Sequence, residues 1–247
     1  NYMQPMKELI GNIAGTIEII SNKVDEPFIN QQHLDELEKL RAHIIEETGI
    51  KATHEDGVLH PIEIIESMQK MLTDDTTVTV DVGSHYIWMA RKFRSYNPRH
   101  LLFSNGMQTL GVALPWAISA ALVRPNTQVV SVAGDGGFLF SAQDLETAVR
   151  KNLNIIQLIW NDGKYNMVEF QEEMKYERSS GVDFGSVDYV KYAEAFGAKG
   201  IRVTNQEELE AAIKEGYDTD GPVLIDIPVN YKDNMKLSTN MLPDAFN

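Results

Sequence analysis

The amino-acid sequence predicts an α/β protein in which a parallel β-sheet is flanked by helices on both faces. The first observation behind this prediction is that short runs of β-branched and aliphatic residues alternate with longer helical patterns along most of the chain. The second is that these runs are apolar almost throughout, as strands buried on both faces are. Parallel strands that are each followed by a crossover helix produce both features.

The first sixty residues show a different pattern from the rest. A helix is predicted from Pro5 to Ser21. A second, amphipathic helix has Leu or Ile at positions 34, 37, 40, 44 and 45 and is predicted to end at Gly49. The polar, turn-rich stretch KATHEDGVLHP is typical of a linker. We therefore divide the chain into residues 1–59, which precede the main domain, and residues 60–247, which form it.

Strands and helices alternate from residue 60 onward. Pro61 begins a helix that reaches Met71, and the β-branched run TTVTVDVG predicts a buried strand that stops at a glycine. The later elements, in chain order, are a helix from Ser84, the segment LLFSNG, the alanine-rich LGVALPWAISAALV, the strand QVVSVAG, the helix SAQDLETAVRKN, the strand NIIQLIWND, a helix near Tyr165, a helix from Tyr189 to Phe196, the strand GIRV, a helix through Gln206 to Lys214 and the strand PVLIDIPV.

The composition excludes several classes of function. Lys and Arg number 22 against 36 Asp and Glu, and the formal charge of −14 repels phosphates, so nucleic acid is not an expected partner. The absence of Cys excludes disulfides and thiolate metal sites. The chain has no apolar run of membrane-spanning length and no secretion signal, so we expect a cytoplasmic protein without a membrane partner. The six His residues show no HExxH spacing, which argues against zinc hydrolysis.

Three predicted strand ends carry polar residues, and the ligands of parallel sheets bind beyond such ends. They are DVGSH at 81–85, AGDGG at 133–137 and WNDGK at 160–164. Asp135, in the second of them, precedes a helix whose N-terminus would favour an anion. Its carboxylate would nevertheless repel a phosphate unless a divalent cation lay between the two. We therefore predict that Asp135 binds magnesium.

Asp162 is the second candidate for this site, because magnesium needs close to six oxygen ligands. It lies 27 positions after Asp135, with one helix and one strand between them, so adjacent parallel strands would bring both carboxylates to the same edge of the sheet. The alternative is that GDGG is only a tight turn and Asp162 only a helix cap, which is the simpler explanation for either one alone. The two together, each at the end of a strand, favour the metal site.

The GDGG sequence with the later Asn-Asp pair resembles the thiamine-diphosphate motif, in which GDG precedes an Asn-Asn pair. The stretches DVGSHYIWMARKF, FSNGMQTLGVALPWAI, NDGKYNMVEFQEEMKY and GPVLIDIPV are similar to those of acetolactate synthases, in particular of the catabolic type. The resemblance implies that residues 60–247 are the C-terminal diphosphate-binding domain of such an enzyme and that residues 1–59 are the end of its central domain. It also implies a homo-oligomer, a dimer or tetramer in the full-length enzyme.

The resemblance further implies how the cofactors are held. Magnesium would be bound by the side chains of Asp135 and Asp162 and by the backbone carbonyl of Lys164, although Asp162 departs from the asparagine usual in the wider family. For His85, a capping or packing role is an equal alternative to contact with the diphosphate. The residues implied in binding thiamine diphosphate are Ser84, His85, Gln108, Leu110, Gly134, Asp135, Gly136, Gly137, Phe138, Asp162 and Tyr165.

Leu110 and Gln171 are the residues that the resemblance implies in catalysis. The Leu110 side chain would wedge under the cofactor and hold it bent, so that its amino group reaches the proton on thiazolium C2. The alternative for Leu110 is a core position. Gln171 falls where biosynthetic relatives carry a tryptophan associated with a preference for 2-ketobutyrate, so its glutamine points to pyruvate as both substrates. The alternative for Gln171 is a solvated helix position.

The implied reaction condenses two pyruvates to 2-acetolactate and carbon dioxide through a thiamine diphosphate ylide. Family members also use a glutamate from the N-terminal pyrimidine domain of a neighbouring subunit, and we expect this chain, which lacks such a domain, to be nearly inactive alone. Two alternatives remain open: another thiamine-diphosphate-dependent 2-ketoacid decarboxylase or carboligase, and a noncatalytic α/β module that holds a metal structurally. The tail DNMKLSTNM is predicted to cover the site as a lid.

Overall fold

In a computed structural model, residues 7–24, 30–48, 52 and 54–239 of the chain are described. The chain divides into two compact units, Asn1–Gly49 and Ile50–Asn247. Over the described residues, no helix combines the length and the apolar character needed to cross a membrane. The domain boundary that the sequence suggests near residue 60 stays a prediction.

The described residues of the first unit form the helices α1 (Ile13–Ser21) and α2 (Gln31–Thr48). Helix α1 begins at Ile13 because the side chain of Asn12 caps it, accepting a hydrogen bond from the Gly15 amide at 3.0 Å. Residues 7–12 are not helical, so the prediction of a helix over that stretch is wrong. The predicted start at Pro5 and the predicted end at Gly49 lie outside the described residues.

The second unit alternates strands and helices along the chain. Its elements are α3 (Pro61–Met71), β1 (Thr77–Val80), α4 (Ser84–Lys92), β2 (Leu101–Phe103), α5 (Ala113–Val123), β3 (Val129–Gly134), α6 (Asp135–Leu139), α7 (Leu145–Arg150), β4 (Ile155–Asn161), α8 (Asn166–Tyr176), α9 (Tyr189–Ala195), β5 (Lys199–Arg202), α10 (Gln206–Tyr217), β6 (Val223–Pro228) and α11 (Asn234–Thr239). The segment SAQDLETAVRKN is not one regular helix, because Ser141 is non-helical and a short 3₁₀ turn at Ala142–Asp144 precedes α7.

Six parallel strands form one sheet in the order β2-β1-β3-β4-β6-β5, which confirms the predicted fold class. Because β2 and β3 lie on opposite sides of β1, the strand order reverses between β1 and β3, and ligands of such sheets bind beyond the strand ends at this switch point. Strands β3 and β4 are neighbours and pair up to Gly134 opposite Trp160. Asp135 and Asp162, which follow these strands, therefore lie at the same edge of the sheet, as the sequence predicts.

Two apolar layers cover the sheet, one on each face. On the first face, α3, α4 and α10 pack against strand residues such as Val132 and Leu158. On the second face, α5, α7 and α9 pack against strand residues such as Ala133 and Ile159. Successive residues of one strand enter opposite layers, so β3 and β4 are buried nearly throughout their length.

The start of α3 is tied to the C-terminal segment through His60. Its Nδ1 accepts a hydrogen bond from the Ile62 amide at 3.2 Å, while the Glu63 carboxylate accepts one from the His60 amide at 2.8 Å, and together they form a capping box. Since Nδ1 is an acceptor, the proton of the neutral ring lies on Nε2, which donates to Asp233 at 3.2 Å. Burial lowers the pKa of His60 below its ordinary value, although Asp233 and Glu63 act in the opposite direction.

Acid is expected to destabilise the fold through His60, because protonation of Nδ1 removes the acceptor that caps α3. The pKa of His60 is lower in the folded chain than the value of 6.5 for an unperturbed histidine, so its contribution to stability is complete above that pH and is lost as the pH falls through the folded pKa. His60→Asn keeps a capping side chain that does not titrate. We expect the free energy of unfolding of this variant, measured by urea denaturation, to fall less on acidification than that of the parent chain.

His60→Ala is the matched control, because it also lacks a titrating ring but cannot cap the helix. It is expected to lose about 1 kcal/mol of stability at neutral pH relative to His60→Asn and to share its weaker pH dependence. A pH dependence equal to that of the parent chain in both variants would contradict the prediction.

Candidate functional site

The carboxyl ends of β1, β3 and β4 surround a cavity of about 240 Å³. Phe138 and Gln171 do not line it. The Phe138 ring is buried and packs edge-to-face against Tyr189 at a centroid distance of 5.7 Å, and the Gln171 side chain is exposed on α8. The other residues predicted at the site do line the cavity: Ser84, His85, Gln108, Leu110, Gly134, Asp135, Gly136, Gly137, Asp162, Lys164 and Tyr165.

Two carboxylates, those of Asp135 and Asp162, line the cavity. Asp135 is the first residue of α6, where its Oδ1 accepts a hydrogen bond from the Gly136 amide at 2.8 Å and its Oδ2 accepts one from the Gly163 amide at 2.6 Å. Burial raises the pKa of Asp135 to about 6. Burial, and after it the negative charge of Asp135, raises the pKa of Asp162 to about 7. The two carboxylates therefore repel each other, and a bound cation would relieve that repulsion.

The donor set around this pair fits a magnesium ion that is shared with a ligand. Carboxylate oxygens are the ligands that hard divalent cations prefer. In the described part of the chain, no three His, Asp or Glu side chains converge in a group able to hold a metal, so side chains alone do not complete a coordination shell. The Lys164 ammonium pairs with Glu169 at 2.5 Å and with Asp183 at 3.5 Å and is thus already partnered. Backbone, ligand and water oxygens would have to supply the remaining positions.

Three aromatic residues that line the cavity each have a buried polar atom without a hydrogen-bond partner in the described structure: His85 Nε2, Trp160 Nε1 and the Tyr231 hydroxyl. Their rings lie together, with centroid distances of 6.1 Å between His85 and Trp160 and 6.4 Å between Trp160 and Tyr231. Burial lowers the pKa of His85 to about 4, so this ring is neutral at pH 7. Buried polar atoms are nearly always paired, so the group indicates that water or a polar ligand completes this wall.

The loop before α5 carries Gln108 and Leu110 into the wall of the cavity. Gln108 adopts a left-handed backbone conformation with φ of 52°, which is uncommon outside glycine and is often found at functional sites. Leu110 is half-buried and belongs to neither apolar layer. A core position, the alternative that the sequence allows, therefore does not describe Leu110, and its side chain is available for contact with a ligand.

Two asparagines that the sequence does not single out connect the elements around the cavity. Asn166 begins α8, and its Oδ1 accepts hydrogen bonds from the Ser84 hydroxyl at 2.6 Å and from the Asn234 amide at 2.7 Å. Asn234 also donates to the Ser84 hydroxyl at 3.0 Å and accepts from Trp88 Nε1 at 2.7 Å. These bonds join residues 68 to 150 positions apart, so spacing along the chain gives no signal for them.

A second cavity, of about 430 Å³, adjoins the first beside the C-terminal segment. Gln171 lines neither cavity. Asn234 and Met235, from the tail predicted to be a lid, line the second cavity, while the last two residues of that tail lie outside the described residues. The lid therefore stays a prediction. The two cavities share Asp162, Lys164, Asn166 and Tyr231.

Comparison with known proteins connects this geometry to a family. Residues 81–227 match the family model described as "Thiamine pyrophosphate enzyme, C-terminal TPP binding domain". Thiamine pyrophosphate (TPP) is another name for thiamine diphosphate. The chain is 49% identical over 243 residues to an acetolactate synthase of Bacillus subtilis (strain 168), which covers 98% of this chain and 43% of that protein. It is 47% identical over 237 residues to a catabolic acetolactate synthase of Raoultella terrigena, which covers 95% of this chain and 42% of that protein.

The fold also has a solved relative. The chain resembles the Rhodococcus jostii RHA1 thiamine diphosphate-dependent 4-hydroxybenzoylformate decarboxylase with a TM-score of 0.70 and 23% identity, over 74% of this chain and 35% of that one. At this identity the likeness shows the fold alone. The chain spans less than half the length of the two acetolactate synthases. Since the family model covers more than half of the chain and includes all three polar strand ends, the chain belongs to the thiamine pyrophosphate enzymes, with residues 81–227 as their C-terminal TPP-binding domain.

Proposed function

We propose that this chain is the thiamine diphosphate- and magnesium-binding part of an acetolactate synthase, an enzyme that condenses two pyruvates to 2-acetolactate and carbon dioxide. The observation that carries the proposal is the buried pair Asp135 and Asp162, which follows two neighbouring strands and lines the same cavity as Leu110. A diphosphate can approach such a pair only with a cation between them. The 49% and 47% identities to acetolactate synthases, over nearly the whole chain, support pyruvate as the substrate.

In this proposal, Asp135, Asp162 and the first turn of α6 hold the charged end of the cofactor. The side chains of Asp135 and Asp162 and the Lys164 carbonyl would hold Mg²⁺, which would supply the positive charge that a diphosphate needs at this place. The backbone amides of Gly137 and Phe138 would donate hydrogen bonds to the diphosphate, which lets Phe138 contribute although its ring is buried. The Gly136 amide is not available for this, because it donates to Asp135. Ser84 and His85 contact it from the start of α4. The positive charge of the ion would offset the repulsion between the two carboxylates, which Asn166 and Lys164 offset only in part.

The loop before α5 orients the other end of the cofactor in this proposal. When bound, thiamine diphosphate would supply a nucleophilic carbon that adds to the keto group of pyruvate, and its cationic ring would accept the electron pair left when carbon dioxide departs. The Leu110 side chain supports the cofactor from below and excludes water there, which strengthens the electrostatic interactions inside the cavity. Backbone groups around Gln108 contact the aminopyrimidine ring. The second-substrate role of Gln171 stays a prediction, because its side chain is exposed and lines neither cavity.

Further parts of the activity come from outside these 247 residues in our proposal. The Bacillus subtilis relative is more than twice as long as the stretch that the chain matches. We propose a cytoplasmic homo-oligomer, in which a glutamate of another domain engages the aminopyrimidine ring of the cofactor bound here. The chain alone is then expected to bind the cofactor weakly and to convert little or no pyruvate. Measurable 2-acetolactate formation by the purified chain would contradict this expectation.

Calorimetric titration of the chain with thiamine diphosphate, in the presence and absence of Mg²⁺, tests the binding part of the proposal. We expect heat of cofactor binding only when Mg²⁺ is present, because the carboxylate pair repels the diphosphate without it. Equal affinity in both conditions would contradict the proposed cation site. If titration with Mg²⁺ alone releases heat and titration with thiamine diphosphate does not, the result would instead support a noncatalytic module that holds a metal structurally.

The substrate class is tested on the complete enzyme that contains this chain. We expect 2-acetolactate from pyruvate alone and little competition from added 2-ketobutyrate. Release of free aldehyde from pyruvate, without 2-acetolactate, would replace the proposal by a 2-ketoacid decarboxylase. The two products are distinguished by chromatography, so the outcome does not depend on a coupled assay.

A further inference from the structure

One buried carboxylate beside the cavity has no role in the proposed cation site. Asp81 follows β1 in the DVGSH motif and is 1% exposed. A buried carboxylate is costly unless hydrogen bonds satisfy its oxygens, so its partners indicate what it is for. Those partners are backbone amides of Val82, next to Asp81, and of the loop that carries Leu110 and leads into α5.

Both oxygens of Asp81 are hydrogen-bonded. Oδ1 accepts from the Val82 amide at 2.8 Å and from the Gly111 amide at 3.0 Å, and Oδ2 accepts from the Ala113 amide at 3.1 Å. Gly111 directly follows Leu110, and Ala113 is the first residue of α5. The carboxylate therefore fixes the loop, on the C-terminal side of Leu110, to the end of β1, because Gly111 is bonded to a residue 30 positions earlier.

Gly137, in the GDGG sequence that forms the end of β3 and the first turn of α6, packs against the same carboxylate. A Cβ atom at this position would lie 3.2 Å from Asp81 Oδ1 and 3.3 Å from its carboxyl carbon, closer than ordinary van der Waals contact. The lack of a side chain at Gly137 thus allows the turn after β3 to lie directly on Asp81. One side chain therefore touches both the turn that begins with Asp135 and the loop that carries Leu110.

We propose that Asp81 is a positioning residue that sets the distance between the Leu110 loop and the turn that carries Asp135. This inference rests on the proposed function, because only there does one bound molecule contact both places. A cofactor held by its diphosphate at the turn and supported at its ring by Leu110 has its reactive carbon placed by the separation of these two points. Asp81 fixes that separation in the folded chain before any ligand binds.

A carboxylate suits this task for a chemical reason. An ionised carboxylate only accepts hydrogen bonds and can accept several, whereas three backbone donors converge on Asp81. Asp81→Asn keeps the size of the side chain but turns an NH₂ group towards one of these donors. The NH₂ group and the backbone amide that it faces are both donors and cannot bond to each other. The bond to Gly111 or to Ala113 is therefore lost, while the surrounding core is unchanged.

Amide hydrogen exchange of the ligand-free chain measures the positioning directly. In Asp81→Asn we expect exchange at Gly111 or Ala113 to be about tenfold faster than in the parent chain, the order expected for the loss of one buried hydrogen bond to a charged group. The control is Ile213→Ala, which opens a cavity beneath α10 on the opposite face of the sheet and lowers global stability without touching the loop. Its exchange at Gly111 and Ala113, corrected for global stability, is expected to match that of the parent chain.

Kinetics of the complete enzyme supply the second readout. We expect Asp81→Asn to lower kcat about tenfold while the KM for pyruvate changes little, because displacement of the loop affects the reacting geometry more than substrate binding. Ile213→Ala is expected to leave both parameters near those of the parent enzyme. Unchanged protection of both amides in Asp81→Asn, or equal loss of kcat in both variants, would overturn the inference. Failure of the proposed function looks different, because the unsubstituted enzyme would then form no 2-acetolactate.

Discussion

Asp135→Ala is expected to abolish the Mg²⁺-dependent binding of thiamine diphosphate and, with it, the formation of 2-acetolactate by the complete enzyme. The substitution removes a proposed metal ligand and also leaves the Gly136 and Gly163 amides without their acceptor. We expect cofactor affinity in the presence of Mg²⁺ to fall by at least about 100-fold, since both the cation and the shape of the turn are lost. Calorimetry with thiamine diphosphate and Mg²⁺ measures the change.

Asp162→Asn is the matched control for this experiment. It keeps an oxygen donor at the second position and removes one of the two repelling charges, so most of the cofactor affinity is expected to remain. Without metal, the raised pKa of Asp162 means that its contribution to stability is complete below the ordinary pKa of 3.8 and is lost as the pH rises through about 7. Above that pH we expect Asp162→Asn to be more stable than the parent chain by about 1 kcal/mol. If Asp162→Asn loses as much affinity for thiamine diphosphate as Asp135→Ala does, the two carboxylates do not differ in their roles as we propose.

Gly111→Ala is expected to destabilise the fold more than any other change proposed for the Leu110 loop. Gly111 has a φ of 78°, and a Cβ atom there would lie 2.6 Å from the Cβ of Phe140. The substitution adds backbone strain to a steric clash, and together they are expected to cost about 3 kcal/mol. The free energy of unfolding from urea denaturation checks this value, and cofactor affinity should fall as Leu110 is displaced.

Gly57→Ala separates the two contributions, because Gly57 has a similar φ of 82° but open space where its Cβ atom would stand. Only the backbone strain applies there, so a cost of about 1 kcal/mol is expected. If both variants lose the same stability, the contact with Phe140 is not what requires glycine at position 111.

The part of the cavity wall whose position the sequence predicts depends on the order of elements along the chain. Asp135 and Asp162 each follow an apolar run, and the alternation of runs with helices makes those two strands neighbours in a parallel sheet. Placing both carboxylates at one sheet edge needs no more than this. The same reasoning brings Ser84 and His85 to the cavity, since they begin the helix after β1.

The part of the site that the sequence does not predict depends on contacts between segments that are far apart in the chain. Their separation along the sequence gives no sign that they touch. Asn166 and Asn234 meet because α8 and the C-terminal segment both lie against α4. Asp81 stands in a conspicuous motif, yet its role is visible only when the loop amides of Gly111 and Ala113 converge on it. The late start of α1 is a local feature of Asn12, which competes with the helical periodicity around it.

The anchoring of Asp233 and Asn234, in the segment after β6, has a practical consequence for handling the protein. Asp233 is hydrogen-bonded to the His60 ring and Asn234 to Ser84, so these two residues also support the first helix of the unit and one side of the cavity. A protease that cuts between β6 and Asp233 would leave the sheet intact and the cavity loosened. We expect such preparations to look folded by circular dichroism but to have lost affinity for thiamine diphosphate, so their mass should be checked before activity is compared.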